Sequence, residues 1–252
     1  YDLVVNLETG PLFDTVMRLV KAKQKVGSPY THFNTPAGKH AVEHLHVIYK
    51  SFMPDDVIKI AQPHLYGTEP SAVMNRFGLK KNYIVLAPSN SHYNTNSAIN
   101  HRAWPVSHWK ALIQQLAADS KQVVIIGGKN EDAYFAQLNP LPEAVISLAG
   151  KTDLPDLIGL ITGAAFLITT DTGPSHIAAA VNTPVYALIG PTNFRQTGPF
   201  KTPKNTIKIL SAHLPCSPCY QTPALLQCRD NQCMKAITPA YVLEVLSEEH
   251  LV

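Results

Sequence analysis

No run in this chain approaches the roughly 20 consecutive apolar residues that a membrane-spanning helix requires. Cysteine is scarce, with four in 252 residues, all between Cys216 and Cys233. That distribution excludes a disulfide-dense secreted scaffold, which a chain of this length does not need. Charge is thin as well: 15% of residues are Asp, Glu, Lys or Arg, and the formal net charge is +3. So small an excess excludes a strongly basic nucleic-acid-binding surface. The excess lies wholly in residues 76–252, with fourteen basic and eleven acidic groups, against seven of each in residues 1–75. It suits a phosphorylated ligand or an anionic membrane surface, and it equally suits an ordinary, slightly basic enzyme. The G-x-G-x-x-G and Walker A spacings are absent. So are a signal peptide and an initiator Met, and the chain opens on Tyr1 directly into the strand-like YDLVVNL. The expectation is that sequence upstream of Tyr1 exists and that any targeting signal lies there.

What is present is an alternating pattern. Hydrophobic residues form 45% of the chain, enough for one large or two small domains. DLVVNL (2–7) reads as a strand, and PLFDTVMRLVKA (11–22) spaces Leu12, Val16, Leu19 and Val20 as a helix does. QKVGSP gives a short strand ending in a turn, and GKHAVEHLHVIYKSF (38–52) gives a second helix. Residues 54–70 hold turn residues and read as a linker before a short helix at 69–79. From Asn82 the rhythm is regular. Strands YIVLAPS, QVVIIGG, AVISLAG, AFLI, VYALIG and TIKILS alternate with helices PVSHWKALIQQLAAD, NEDAYFAQL, DLPDLIGLITGA and SHIAAAV. TPAYVLEVLSEEHL closes the chain as a helix, with Thr238 as cap and Pro239 in its first turn. Strands alternating with helices predict a parallel, doubly wound α/β sheet.

Four constellations carry chemistry. In FLITTDTGPSH (166–176) a buried strand ends in a polar cluster just where a helix begins at Pro174. Carboxyl ends of parallel strands are where such folds bind ligands, and free N–H groups at a helix start favour phosphate. Asp171, Thr172, Gly173 and His176 are therefore candidate ligand contacts, or Asp171 and Thr172 simply cap the helix. In APSNSHYNTNSAINHRAWP (87–105), Ser89, Ser91, Arg102 and the helix start at Pro105 form a candidate phosphate cradle, or a solvated loop. Trp104 and Trp109 read as packing residues. In IIGGKNED (125–132), Gly127 and Gly128 permit a tight turn, and Glu131 is either a ribose contact or a solvated helix start. LAGKTDLPDLIGLI (148–161) reads as a capped core helix.

The segment CSPCYQTPALLQCRDNQCM (216–234) places Cys216, Cys219, Cys228 and Cys233 with two, eight and four residues between them. A C-x-x-C followed by two further Cys fits a structural zinc knot. Four reduced thiols, or two disulfides, fit it as well. On any of these readings the segment stabilises a loop.

In combination these motifs resemble a known family. DTGPSHIAAA at 171–180 followed by PVYALIGPT at 184–192, RAWP at 102–105, GGKNE at 127–131, LAGKTDLPDL at 148–157 and the closing CSPC…C…CM are similar to the ADP-heptose:lipopolysaccharide heptosyltransferases of glycosyltransferase family 9. The resemblance covers nearly the whole chain. It implies a GT-B fold, a pair of Rossmann-like domains with parallel doubly wound sheets, of which the amino-terminal one is expected to be incomplete. Residues 1–75 would be part of the acceptor-side domain with its linker, and residues 76–252 the nucleotide-sugar-binding domain.

The implied activity is inverting, metal-independent transfer of a heptose or related sugar from an ADP-sugar to the lipopolysaccharide inner core. A non-catalytic nucleotide-sugar-binding protein and a sugar-nucleotide epimerase are the alternatives on the same architecture. By the resemblance Arg102 meets the diphosphate, Thr172 and Gly173 form the phosphate-binding turn, Asp171 and His176 face the donor, and Glu131 lies near the ribose. No cofactor is required, and the implied setting is the cytoplasm, with peripheral contact to the inner membrane. The family's general base sits on an opening strand and glycine turn expected upstream of Tyr1, so the chain alone is expected to transfer little.

Overall fold

A computed structural model describes residues 1–8, 10–30, 38–60, 62–90, 99–119 and 121–252. The chain divides into two compact units, residues 1–62 with 195–197 and residues 63–194 with 198–252.

In the smaller unit β1 (Leu3–Val5) pairs in parallel with β2 (Gln24–Val26), Leu3 opposite Gln24 and Val5 opposite Val26. The connection is α1 (Pro11–Leu19), which has proline in its first turn and buries Met17. The expected helix over 11–22 is shorter because Val20 turns to extended backbone and ends it. Gly27 has φ +96°, and a Cβ there would lie 2.0 Å from the Asn6 carbonyl oxygen, so only glycine lets the end of β2 pass this close. α2 (Ala41–Tyr49) starts on a reciprocal cap: His40 Nδ1 accepts from the Val42 N–H at 3.1 Å and Glu43 accepts from the His40 N–H at 3.0 Å. α3 (Asp55–Ile60) lies in the stretch expected to be linker, and two acidic residues in its first turn suit the helix dipole.

The larger unit takes in the chain from Pro63 onward. α4 (Pro70–Phe77) contains the anticipated break at 75/76, yet its Val73 is wholly buried in the core of this unit. The segment ahead of it is tied down too. The Thr68 hydroxyl donates to Asp156 Oδ1 at 2.9 Å, the Thr68 N–H donates to the Pro155 carbonyl at 3.0 Å, and Arg76 pairs with Asp156 Oδ2.

Its sheet comprises β3 (Ile84–Ala87), β4 (Val123–Ile125), β5 (Val145–Ser147), β6 (Phe166–Thr170), β7 (Val185–Leu188) and β8 (Ile207–Leu210). All neighbours are parallel, in the spatial order β5-β4-β3-β6-β7-β8. The strands read as continuous apolar runs because helices cover both faces. One face packs Ile84, Leu86, Phe166, Ile168 and Tyr186 under α5 (Val106–Ala118) and α12 (Pro239–Glu248), where Trp104 and Trp109 are fully buried. The other packs Val85, Ala87, Val124 and Leu167 under α4, α7 (Leu154–Thr162) and α8 (Gly173–Ala180). α6 (Asp132–Ala136) follows β4, and α9 (Phe194–Thr197) follows β7. The segment expected to be a Cys-bearing loop also holds two short helices, α10 (Pro223–Gln227) and α11 (Gln232–Lys235).

Candidate functional site

The chain leaves β3 towards β4 on one side, and later returns to lay β6 on the other. The gap between β3 and β6 is thus the switch point of the sheet, where the loops after the two strands diverge and leave a crevice. Ser89 follows β3, and Asp171 follows β6.

Asp171 is buried, and it does not cap the helix that follows. Its Oδ2 accepts the Thr192 hydroxyl at 2.7 Å and lies 3.4 Å from Arg102 Nε. The Arg102 guanidinium stacks on the Tyr220 ring, with its carbon 4.3 Å from the centroid. A guanidinium has five N–H donors; the one on Nε is buried near Asp171 at ion-pair distance but makes no hydrogen bond among the described residues. Beside this pair begins α8. Thr172 is its N-cap in extended backbone, and its side chain makes no capping bond. The Ser175 N–H and hydroxyl both donate to the Thr172 carbonyl, at 3.0 and 2.8 Å. A Cβ on Gly173 would meet no atom within 4 Å, so the helix opens onto space. His176 is exposed, one turn in. Thr170 Oγ1, at the end of β6, is buried with no hydrogen-bond partner among the described residues.

A second pair stands at the ends of β3 and β4. The Ser89 hydroxyl donates to Glu131 Oε2 at 2.5 Å, and the Gly128 N–H donates to the same oxygen at 2.8 Å. Glu131 is therefore a buried brace between two loops rather than a solvated helix start. Gly127 is packed so closely that a Cβ would lie 2.1 Å from the Phe135 ring and 2.9 Å from Ser89 Oγ. Ser91, the other hydroxyl of the predicted cradle, lies outside the described residues.

The four cysteines come together around one cavity of about 270 Å3, lined also by His101, Pro191 and Leu225. All four are free thiols. Burial pushes the Cys219 thiol up, and that of Cys233 up to about 11. Among the described residues no three His, Cys, Asp or Glu are grouped to hold a metal ion. The thiols sit at different depths around the cavity, with Cys216 exposed and Cys219 and Cys233 buried.

Of the residues singled out from the sequence, the fold joins Arg102 with Asp171 and Ser89 with Glu131 as two pairs. The sequence pattern missed Thr192 and Tyr220. Thr192 stands four residues past the end of β7, in the turn after that strand, and Asp171 immediately follows β6. Tyr220 is next to Cys219, a lone aromatic in a segment with no period to mark it as a contact.

This strand order, with an arginine, a carboxylate and an open helix start at its switch point, defines a Rossmann-type α/β protein. The family described as glycosyltransferase family 9 (heptosyltransferase) matches residues 28–229, and the chain belongs to it. Lipopolysaccharide heptosyltransferase 3 of Escherichia coli is 28% identical over 213 residues, 77% of this chain and 60% of that protein. Lipooligosaccharide heptosyltransferase 2 of Haemophilus influenzae is 32% identical over 118 residues, 45% of this chain and 34% of its own. The structure of E. coli ADP-heptose lps heptosyltransferase II matches with a TM-score of 0.63 at 25% identity, covering 83% of this chain and 61% of that one. The family 9 glycosyl transferase structure from Veillonella parvula DSM 2008 has a TM-score of 0.76 at 17% identity, covering 98% and 73%. The fold is thus of the GT-B type, and the chain spans about 60% of the length of the E. coli heptosyltransferase 3 it matches.

Proposed function

We propose that the chain belongs to an inverting glycosyltransferase that moves a heptose, or a closely related sugar, from an ADP-sugar to the lipopolysaccharide inner core. The larger unit is the nucleotide-sugar half, and the smaller unit belongs to the acceptor side. The observation that carries this reading is the meeting of Arg102, Asp171 and the open start of α8 at the switch point.

In this reading the Arg102 terminal nitrogens and the Thr172–Gly173 backbone take the donor's diphosphate. As the bond to the sugar breaks, charge develops on that diphosphate. A fixed cation and a helix dipole stabilise it without reorganisation, so the step requires no metal. Asp171 fixes Arg102 and, with His176, faces the sugar. Glu131 gives Oε2 to Ser89 and Gly128, so a ribose contact falls to its other oxygen. The acceptor hydroxyl attacks the anomeric carbon and loses its proton to a general base, a role assigned to none of these residues. Among the described residues no helix is long and apolar enough to cross a membrane. The proposed setting is the cytoplasmic face of the inner membrane, by peripheral contact.

The test is calorimetric binding of ADP and adenosine to wild type and Arg102→Ala, beside transfer from ADP-heptose to a lipopolysaccharide-core acceptor. A charge-assisted contact contributes about 1.5–3 kcal/mol. Arg102→Ala is expected to weaken ADP by roughly tenfold or more and leave adenosine unchanged. Equal losses for both ligands, or no ADP binding by wild type, would remove the assignment. An epimeric ADP-sugar formed without acceptor would favour the epimerase.

A further inference from the structure

We infer that Tyr220 is a positioning residue of the donor site, acting through Arg102. This rests on the reading that Arg102 meets the donor diphosphate. Three observations converge on it. The Tyr220 ring lies 4.3 Å from the guanidinium carbon of Arg102. Arg102 Nε lies 3.4 Å from Asp171 Oδ2. The Tyr220 backbone is itself fixed, since its N–H and that of Cys219 both donate to the Pro191 carbonyl, at 2.9 and 2.8 Å.

Pro191 and Thr192 form the turn after β7, and the Thr192 hydroxyl holds Asp171. One turn therefore sets both braces of the arginine, the carboxylate through Thr192 and the aromatic face through Tyr220. An arginine side chain has many rotamers, and immobilising it on binding costs affinity. A guanidinium already stacked on a ring and lying beside a fixed carboxylate has lost much of that freedom before the ligand arrives. The planar fork then presents its terminal nitrogens in a fixed plane, which suits the oxygens of a diphosphate. The segment 216–233 thus shapes the donor site directly, by supplying one side of its cation.

The test compares Tyr220→Phe, Tyr220→Leu and Tyr220→Ala in the full chain, alone and combined with Arg102→Ala. The probes are ADP and adenosine in calorimetry, with a thermal melt for each variant. A stacked cation over an aromatic ring predicts a loss of roughly three- to thirtyfold in ADP affinity for the Leu and Ala variants. Adenosine affinity should be unchanged, and Tyr220→Phe should bind both ligands as wild type does. In the Arg102→Ala background the Tyr220 substitutions should cost nothing further. Tyr220→Leu keeps apolar bulk, so the comparison survives if the alanine variant folds poorly. ADP binding unchanged in Tyr220→Leu, with Arg102→Ala still defective, overturns the role of Tyr220 alone. Losses in both ligands for Tyr220→Leu, or full losses added on top of Arg102→Ala, overturn it as well. ADP affinity unchanged in Arg102→Ala overturns the assignment of Arg102, and this inference with it.

Discussion

Asp171 Oδ2 joins two groups from distant loops, accepting the Thr192 hydroxyl at 2.7 Å and lying 3.4 Å from Arg102 Nε. The bond to Thr192 is buried, so its loss leaves a polar group without water or partner. Asp171→Ala should therefore cost about 1–3 kcal/mol. Asp171→Asn keeps an amide oxygen for Thr192 and loses only the charge opposite Arg102, so it should cost less. Thermal melts should rank wild type above Asp171→Asn above Asp171→Ala. Equal melting temperatures for all three would mean that the aspartate holds nothing.

The brace at the neighbouring strand ends makes a parallel case. Glu131 takes hydrogen bonds from Ser89 and Gly128 on one oxygen. Glu131→Ala orphans a buried hydroxyl and a backbone N–H together, and should cost about 1–3 kcal/mol. In a domain of this size that is a drop of several degrees in Tm. Ser89→Ala leaves the Gly128 bond in place and should lower Tm by less. Hydrogen exchange at Gly128 should quicken in Glu131→Ala and stay slow in Ser89→Ala.

Two glycines separate folding from ligand binding. A Cβ on Gly159 would lie 2.1 Å from the Thr68 carbonyl oxygen, a backbone atom that cannot swing aside. Gly159→Ala should lower stability by about 1–3 kcal/mol, as overpacking does. A Cβ on Gly173 meets nothing within 4 Å. Gly173→Ala should therefore leave Tm unchanged or slightly raised. If the backbone there approaches the donor phosphates, the same methyl should weaken ADP by about tenfold, since close backbone approach is what glycine allows. Unchanged ADP affinity in Gly173→Ala would place the phosphates elsewhere.

The strands and the polar clusters at their ends were legible because a parallel sheet buried on both faces forces unbroken apolar runs and puts its turns at one edge. Asp171, Arg102 and Glu131 stood out for that reason. Their actual partners did not, since Thr192 and Tyr220 come from loops remote in sequence, and no local period marks a tertiary contact. α3 was missed because six residues, DDVIKI, are too few to display a helical period. That Thr68 lies against Gly159 within the larger unit shows only in the folded chain. The thiols of 216–233 share a cavity, yet their spacing could not reveal the depth of each.

The far edge of the sheet offers a test in pH. Glu249, just past α12, accepts the Lys208 ammonium on Oε1 and the Tyr186 hydroxyl on Oε2, each at 2.5 Å. The bond from Lys208, then that from Tyr186, holds the Glu249 carboxyl below its ordinary value. A depressed carboxylate stabilises the fold fully above its unfolded value, about 4.3, and that share is lost as pH falls through the folded value. Lys208 is shifted upward by the same pair. Its share is present below the ordinary lysine value, about 10.4, and is lost as pH rises through the folded one. Wild type should therefore melt above Glu249→Gln by a margin that is flat from about pH 5 to 10 and shrinks at both ends. Scanning calorimetry of the two proteins from pH 3.5 to 10.5 measures that margin. A gap undiminished at pH 3.5 would mean that Glu249 acts through neutral hydrogen bonds or packing, and that its charge contributes nothing to holding α12 on β7 and β8.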